Sequence, residues 1–294
     1  MRVTQQMLSA TTLNNIENNM NRIDQLEGQI TSGTQLTKPS DNPIGTAQAL
    51  NLQDTVSQAG QYLTNIDQAS SWLNATDSAL SSVTSAIQRA RELAVQAGSD
   101  TASASDRQSI DAEVQQLQQQ VLALSQTKNG STYLFAGTRS DAPGYTQANP
   151  SSVPGAYNGN SGQIQRQVAP GQTMTVNADP TTTFDPVFTA MNQLHTGLTS
   201  NNDAAISTAI DNLDTALNSV MSSRATVGAK TNRLDSLQQQ MSSVQVTMTG
   251  LLSNVKDVDM AQAMTQFSME QTVYQASLQA GAKVMQQSLL DYLH

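Results

Sequence analysis

The sequence predicts a mainly α-helical fold: a long, antiparallel, coiled-coil-like helical bundle formed by the N- and C-terminal segments, with a small central β domain inserted at the tip. Three observations support this prediction. Apolar residues recur three and four apart near both ends, six of the eight prolines fall in the middle, and charged residues make up only 13% of the 294 residues. A stripe at that spacing, sustained over several heptads, is typical of a helix that buries one face against another helix.

The N-terminal part predicts three helices. The first covers residues 1–36, and its apolar stripe comprises Leu13, Ile16, Met20, Ile23 and Ile30. It ends before the run 38–43, where two prolines flank Ser, Asp and Asn and disfavour helix. A second helix is predicted over 46–97. A third begins at a cap formed by Ser105 and Asp106, and it ends at Asn129–Gly130, a pair suited to positive φ.

The middle of the chain reads differently. Residues 132–136 are short, aromatic and partly apolar, which favours a strand. Within 138–186, the alternating runs 163–168 and 174–176 favour two more strands, joined by a turn at 170–171. The alternative interpretation of this segment is a disordered surface insert.

Helical spacing returns after residue 186. A short helix is predicted over 187–199, a longer one over 203–222, and a final apolar stripe from Arg224 onward, with Gly250 and Gly281 as weak points. The stripe comprises Val227, Leu234, Leu237, Met241, Val244, Met248, Leu251, Val255 and Val258, and then Met264, Phe267, Tyr274, Leu278, Met285 and Leu289. Most methionines of this stripe are expected to pack in a core, although their adaptable shape also suits a surface that meets two partners.

The predicted domains are three. Residues 1–36 and 264–294 form a terminal coiled coil, residues 37–137 and 187–263 form a helical bundle, and residues 138–186 form a small β domain. Because an isolated apolar stripe cannot bury itself, we expect the two terminal segments to be disordered in the monomer and to order on assembly.

Composition excludes several function classes. The formal net charge is −9, and the 14 Lys and Arg residues form no cluster, which argues against nucleic acid and against anionic membrane surfaces as partners. Without cysteine there is no thiolate chemistry and no disulfide. Neither histidine, His195 or His294, belongs to a metal or catalytic motif, so no cofactor, metal or enzymatic activity is expected. No stretch approaches the ~20 apolar residues of a membrane span. The first residues lack the apolar core of a Sec signal, so an extracellular chain is expected to leave by another route.

Several motifs at both ends are more specific than periodicity. Together, and in this order, they resemble the flagellin superfamily over roughly residues 1–138 and 187–294, while the middle takes no part. The motifs are Leu26–Gly33, Lys38–Ala47, Arg89–Ala97, Ser223–Ala229 with Asn232–Leu234, and Gln275–Ala280.

Within the superfamily, Gly130–Thr138 and the ending Ser288–Leu293 resemble the members that lie between hook and filament more than they resemble filament subunits. That resemblance implies a ring that sits on a hook-side hook-associated protein and offers a flagellin-like surface to the first filament subunits. It further implies that residues 1–36 and 264–294 are the inner domain, which lines the axial channel, and that residues 138–186 are the outer domain. It also implies export of the unfolded chain through the flagellar type III apparatus, with a cytoplasmic chaperone holding the C-terminal helix beforehand.

The residues expected at subunit contacts come from the two terminal stripes and from one charged cluster: Leu13, Ile16, Met20, Ile23, Ile30, Arg89, Arg91, Glu92, Met264, Phe267, Tyr274, Leu278, Met285 and Leu289. For the cluster of Arg89, Arg91 and Glu92, two interpretations stand. The three residues form helix-surface ion pairs worth tenths of a kcal/mol, or they contact a neighbouring subunit, as the resemblance favours.

Two other functions compete with a junction component. One is a short filament flagellin. The other is an exported coiled-coil effector, or an enzyme carried on residues 138–186. That segment contains no histidine, no cysteine and no paired acidic cluster, which argues against catalysis.

Overall fold

The computed structural model describes residues 2–40, 42–99, 102–146 and 157–292, with the backbone alone for residues 2–6, 8 and 284–292. In this part of the chain, six helices and two antiparallel strand pairs follow one another. They are α1 (Arg2–Ser32), α2 (Pro43–Ala97), α3 (Ala104–Ser125), β1 (Lys128–Asn129), β2 (Thr132–Tyr133), β3 (Gln165–Ala169), β4 (Gln172–Thr175), α4 (Pro180–Thr199), α5 (Asp203–Lys256) and α6 (Met260–Tyr292). The predicted fold class, long terminal helices with a small β region between them, is confirmed.

The chain divides into two compact units. Unit 1 consists of Met1–Gln58 and Val244–His294, and unit 2 is the continuous stretch Ala59–Ser243. Helices α2 and α5 each contribute residues to both units. The three-part division expected from the sequence stays a prediction.

Unit 2 contains the apolar core. Its part of α2 runs antiparallel to α5, since Asp67 bonds Gln238 near one end and Arg91 bonds Asp214 near the other. Helices α3 and α4 pack on each other, and Gln118 donates to Asn192 across that contact at 2.9 Å. Apolar residues three, four or seven apart on α2 and α3 are fully buried, which is why the spacing predicts these helices: Leu73, Leu80, Val83, Ile87, Val114 and Val121.

The β region is smaller than its sequence pattern suggests. The strand predicted over 132–136 is wrong beyond Tyr133, because only Thr132 and Tyr133 pair with β1. The next three residues turn inward instead, and Phe135 packs edge-on against Phe184 with ring centroids 4.8 Å apart. Strands β3 and β4 lie close to the predicted positions and are joined by the expected turn at 170–171.

Several helix starts differ from the predicted ones because of caps. Helix α2 begins at Pro43, where the Asn42 side chain accepts a hydrogen bond from the Gly45 amide at 2.8 Å. Helix α3 is capped by Ser103, not Ser105, in a reciprocal capping box with Asp106. Helix α4 begins at Pro180, seven residues before its predicted start, because Asp179 caps it and proline suits the first helical position.

The predicted division of the C-terminal helices is also corrected. Helix α5 continues through residues 222–224 and through Gly250, and Gly281 lies inside α6. The chain breaks at 257–259 instead. There the Gln35 amide donates to the Lys256 carbonyl at 2.7 Å, and the Val258 amide donates to the Gly33 carbonyl at 3.1 Å. The Asp259 carboxylate then accepts the first amides of α6.

Candidate assembly surface

Unit 1 exposes most of the apolar side chains that face solvent. Among the residues whose side chains are described, twelve of the fourteen exposed large apolar residues lie in unit 1, and only Val95 and Met221 lie in unit 2. The apolar residues that unit 1 buries within the same part of the chain are two alanines, Ala49 and Ala263. Large exposed apolar patches mark interaction sites in soluble proteins. Unit 1 is therefore the candidate assembly surface.

Helices α1 and α6 form an antiparallel pair within unit 1, as expected from the sequence. Asn19 Nδ2 donates to Ser277 Oγ at 3.2 Å, and Arg22 Nη1 pairs with Glu270 Oε1 at 3.2 Å. Toward the end of α6, a Cβ added at Gly281 would lie 3.4 Å from Ile16 Cδ1. Residues with higher numbers on α1 therefore contact residues with lower numbers on α6, which is the antiparallel arrangement.

The predicted contact residues of the two terminal stripes divide into two sets. Half-buried positions are occupied by Ile16, Ile23, Ile30, Phe267 and Tyr274. Exposed positions are occupied by Leu13 (58% exposed), Met20 (52%), Met264 (58%) and Leu278 (44%). The side chains of Met285 and Leu289 lie outside the described residues. The exposed set is free to meet another molecule.

Further exposed apolar residues of unit 1 escaped the list of predicted contact residues: Met7, Ile44, Leu50, Val246, Leu251, Met260, Met269 and Val273. The expectation that most C-terminal methionines pack in a core is wrong for three of them, since Met260, Met264 and Met269 are exposed. Met241 is buried as expected. The sequence does contain a signal for these exposed residues. The apolar pattern on α6 is wider than contact with a single helix requires, which indicates a second apolar face.

The charged cluster on α2 makes ion pairs inside the chain. Arg89 pairs with Glu113 at 2.7 Å and with Glu92 at 3.2 Å, and Arg91 pairs with Asp214 at 2.6 Å. The hydrogen bond to Asp214 raises the pKa of Arg91 above its ordinary value. A contact of these residues with a neighbouring subunit stays a prediction.

An open groove of about 520 Å³ runs beside the α1–α6 pair. It is lined by Arg22, Gln25, Leu26, Gln29, Gln266, Met269 and Glu270. These side chains include one ion pair and several amides, which form no nucleophile–base or acid–base arrangement. In the described part of the chain, His, Cys, Asp and Glu residues form no group of three able to hold a metal.

His195 has a structural partner on the neighbouring helix. His195 Nδ1 lies 2.6 Å from Asp111 Oδ1 across the α3–α4 contact, which occupies it structurally. His294 lies outside the described residues. Among the helices of the described residues, none combines the length and the mean hydropathy of a membrane-spanning segment.

Comparison with known proteins identifies both ends of the chain. Residues 3–140 match the bacterial flagellin N-terminal helical region, and residues 210–293 match the bacterial flagellin C-terminal helical region. The chain is 29% identical to flagellar hook-associated protein 3 of Salmonella typhimurium, over 94% of this chain and 95% of that protein. It is 26% identical to a flagellin of Bacillus subtilis, over 98% of this chain and 97% of that protein.

Solved structures share the fold. A structure described as a putative flagellar hook-associated protein from Vibrio parahaemolyticus has a TM-score of 0.68 at 20% identity, covering 74% of this chain and all of that one. The flagellar junction protein of Legionella pneumophila has a TM-score of 0.59 at 17% identity, covering 71% of this chain and 99% of that one. With the two flagellin regions together covering about three quarters of the sequence, the chain belongs to the bacterial flagellin family.

Proposed function

We propose that this chain is a structural adaptor of the bacterial flagellum, which assembles as a ring between hook-associated protein 1 on the hook side and the flagellin filament. The observation that carries the proposal is the contrast between the two units. Unit 2 has a complete apolar core, whereas unit 1 leaves its apolar side chains exposed. Full-length similarity to hook-associated protein 3 directs that surface to the junction.

The mechanism is burial of the exposed stripes on assembly. Each large apolar side chain contributes roughly 1.5–3 kcal/mol when fully buried. Twelve partly exposed side chains in unit 1 therefore provide a driving force large enough for polymerisation. No catalytic step is part of this function.

The proposal includes an export route and a chaperone that binds the C-terminal helix before export. The chain reaches the extracellular flagellum through the flagellar type III apparatus, and a cytoplasmic chaperone covers the C-terminal helix before export. Exposed Met264, Met269 and Leu278 on α6 give such a chaperone an apolar face to bind. Nucleic acid and membrane lipids are not partners, because the chain has a net charge of −9 and no basic cluster.

Limited proteolysis tests whether the ends order only on assembly. Residues 1–36 and 264–294 of the free monomer are expected to be cut first, because they bury few apolar groups, while the core of unit 2 resists. Protease resistance of both ends in the free chain would contradict this part of the proposal.

A site-specific label tests the location. Gln172 is exposed at the start of β4, and the chain contains no cysteine, so Gln172→Cys gives one maleimide site. Biotin-maleimide and streptavidin–gold on whole flagella, in a strain carrying only this copy, are expected to label one narrow band where hook meets filament. The unmodified chain is the control.

The same experiment separates the alternatives. Gold along the whole filament would identify a filament flagellin, the second candidate, which the similarity to the Bacillus subtilis flagellin favours. Absence of the chain from the flagellum would leave the exported effector.

A further inference from the structure

One polar residue occupies the apolar stripe of α1. Asn19 lies three residues after Ile16 and four before Ile23, so it faces the same way as they do. It is only 8% exposed, and its Nδ2 donates to Ser277 Oγ on α6 at 3.2 Å. Burying an amide is unfavourable unless it is hydrogen-bonded, so this position depends on its partner.

The isoleucines of the stripe cannot define how α1 is aligned with α6. Ile16, Ile23 and Ile30 are spaced seven residues apart. Sliding α1 by one heptad therefore places two of the three isoleucines where another isoleucine was. An apolar repeat of this kind tolerates slippage, and a single buried Asn is a known device for fixing the register of paired helices.

We propose that Asn19 is a positioning residue that fixes the register of α1 against α6, together with the backbone hydrogen bonds that join residues 33 and 35 to residues 258 and 256. A slip by one heptad in one direction brings Asn19 opposite position 284, a valine, which offers its side-chain amide no acceptor. A slip in the other direction brings Asn19 opposite Glu270 and separates that carboxylate from Arg22.

A close contact supports the same register. A Cβ added at Gly281 would lie 3.3 Å from Thr12 Cγ2 and 3.4 Å from Ile16 Cδ1, so the two helices approach closely there. In the second slipped register, Ile16 would meet Tyr274 instead of this glycine. The inference concerns the folded chain and applies whichever place the chain occupies in the flagellum.

Disulfide trapping measures the register, because the chain has no cysteine of its own. The pair Thr12→Cys with Gly281→Cys reports the observed register, since Thr12 Cγ2 lies 3.3 Å from a Cβ at 281. The pair Ile23→Cys with Gly281→Cys reports the register slipped by one heptad. The ratio of the two intramolecular disulfide yields, in full-length chains oxidised mildly while assembled in isolated flagella and then denatured without reductant, is the readout.

With Asn19 present, the ratio is expected to be about tenfold or more in favour of the observed register, as leaving a buried amide unsatisfied shifts an equilibrium by that order. With Asn19→Leu, it is expected to fall by about tenfold, toward the ratio set by the backbone pairing of residues 33–35 with 256–258 alone. The matched control is Asn18→Leu, the same substitution at the exposed neighbouring position, which is expected to keep the ratio high.

A second variant covers the case in which Asn19→Leu prevents pairing altogether. Ser277→Ala removes the acceptor with little change in volume, and it is expected to lower the ratio in the same direction. An unchanged ratio in Asn19→Leu or Ser277→Ala, or a ratio near one in the parent pairs, would overturn the proposal. Because each disulfide forms within one chain, the ratio does not depend on where in the flagellum the chain is found.

Discussion

Two exposed residues of α6 give a direct test of the assembly surface. We consider the double substitution Met264→Gln with Leu278→Gln. Glutamine has nearly the helix propensity of methionine and leucine and a similar length, so α6 itself should keep its stability. What changes is the apolar area that α6 offers to another molecule.

The magnitude follows from the exposed fractions. Met264 is 58% exposed and Leu278 is 44% exposed, so these fractions of each side chain remain to be buried on assembly. Scaling the roughly 1.5–3 kcal/mol for full burial of such a side chain gives about 1.5–3 kcal/mol per subunit for the pair. An equilibrium constant for incorporation should therefore fall by roughly 10- to 200-fold.

The assay compares the amount of the chain in sheared flagella with the amount lost to the culture medium, with circular dichroism of the purified variant as a check on helicity. The control is Val95→Gln with Met221→Gln, because these two residues of unit 2 are 52% and 53% exposed. The α6 variant is expected to move into the medium with unchanged helicity, whereas the control stays in the flagella.

Two results would refute the reasoning. Incorporation of the α6 variant at the parental level would show that these side chains remain exposed after assembly. An equal loss in the unit 2 control would show that exposed apolar area in general, not unit 1, decides incorporation.

Three further predictions concern unit 2. Arg91→Glu is expected to lower incorporation without loss of helicity, and adding Asp214→Arg is expected not to restore incorporation, because the reversed pair repairs only the contact within the chain; restoration would show that the pair acts internally. Leu80→Ala, at a fully buried position, is expected to lower the free energy of unfolding by about 2–5 kcal/mol in urea titrations, and a loss below about 1 kcal/mol would contradict the described core. Burial, followed by the hydrogen bond with Asp185, raises the pKa of Tyr145 far above its ordinary value. Since the fold favours the neutral phenol, its contribution to stability is complete below about pH 10 and decreases as the pH rises above that value. Thermal unfolding from pH 8 to 11 should show this loss of stability, and the loss should be smaller in Tyr145→Phe.

Much of the fold could be predicted because the apolar spacing has a direct structural cause. Leu73, Leu80 and Ile87 are seven residues apart and fully buried, so the stripe of α2 identifies both a helix and its inner face. The same argument located the antiparallel ends. It could not tell which flank of a terminal helix is covered by its partner, which is why Met264 and Tyr274 were assigned alike although only Met264 is exposed.

The helix boundaries failed where local caps outweighed composition. Gly250 and Gly281 were expected to weaken the helices, yet glycine costs only about 1 kcal/mol in a helix interior and is tolerated. The break covers residues 257–259. The Asp259 carboxylate caps α6, and residue 257 pairs with Thr34. The cap was visible in the sequence, whereas the pairing with a residue over two hundred positions away was not.

The small apolar content that unit 1 buries also determines how assembly should respond to temperature. Alanines at 49 and 263 are the apolar residues that it fully buries among the described side chains, and the isoleucines of α1 are only half-buried, so ordering of unit 1 alone changes the heat capacity less than full burial of the stripes would. Burial of the exposed stripes between subunits is then the step with a large negative heat-capacity change, driven by entropy near room temperature. Incorporation into the flagellum should consequently strengthen on warming from the cold, and cooling should favour dissociated subunits.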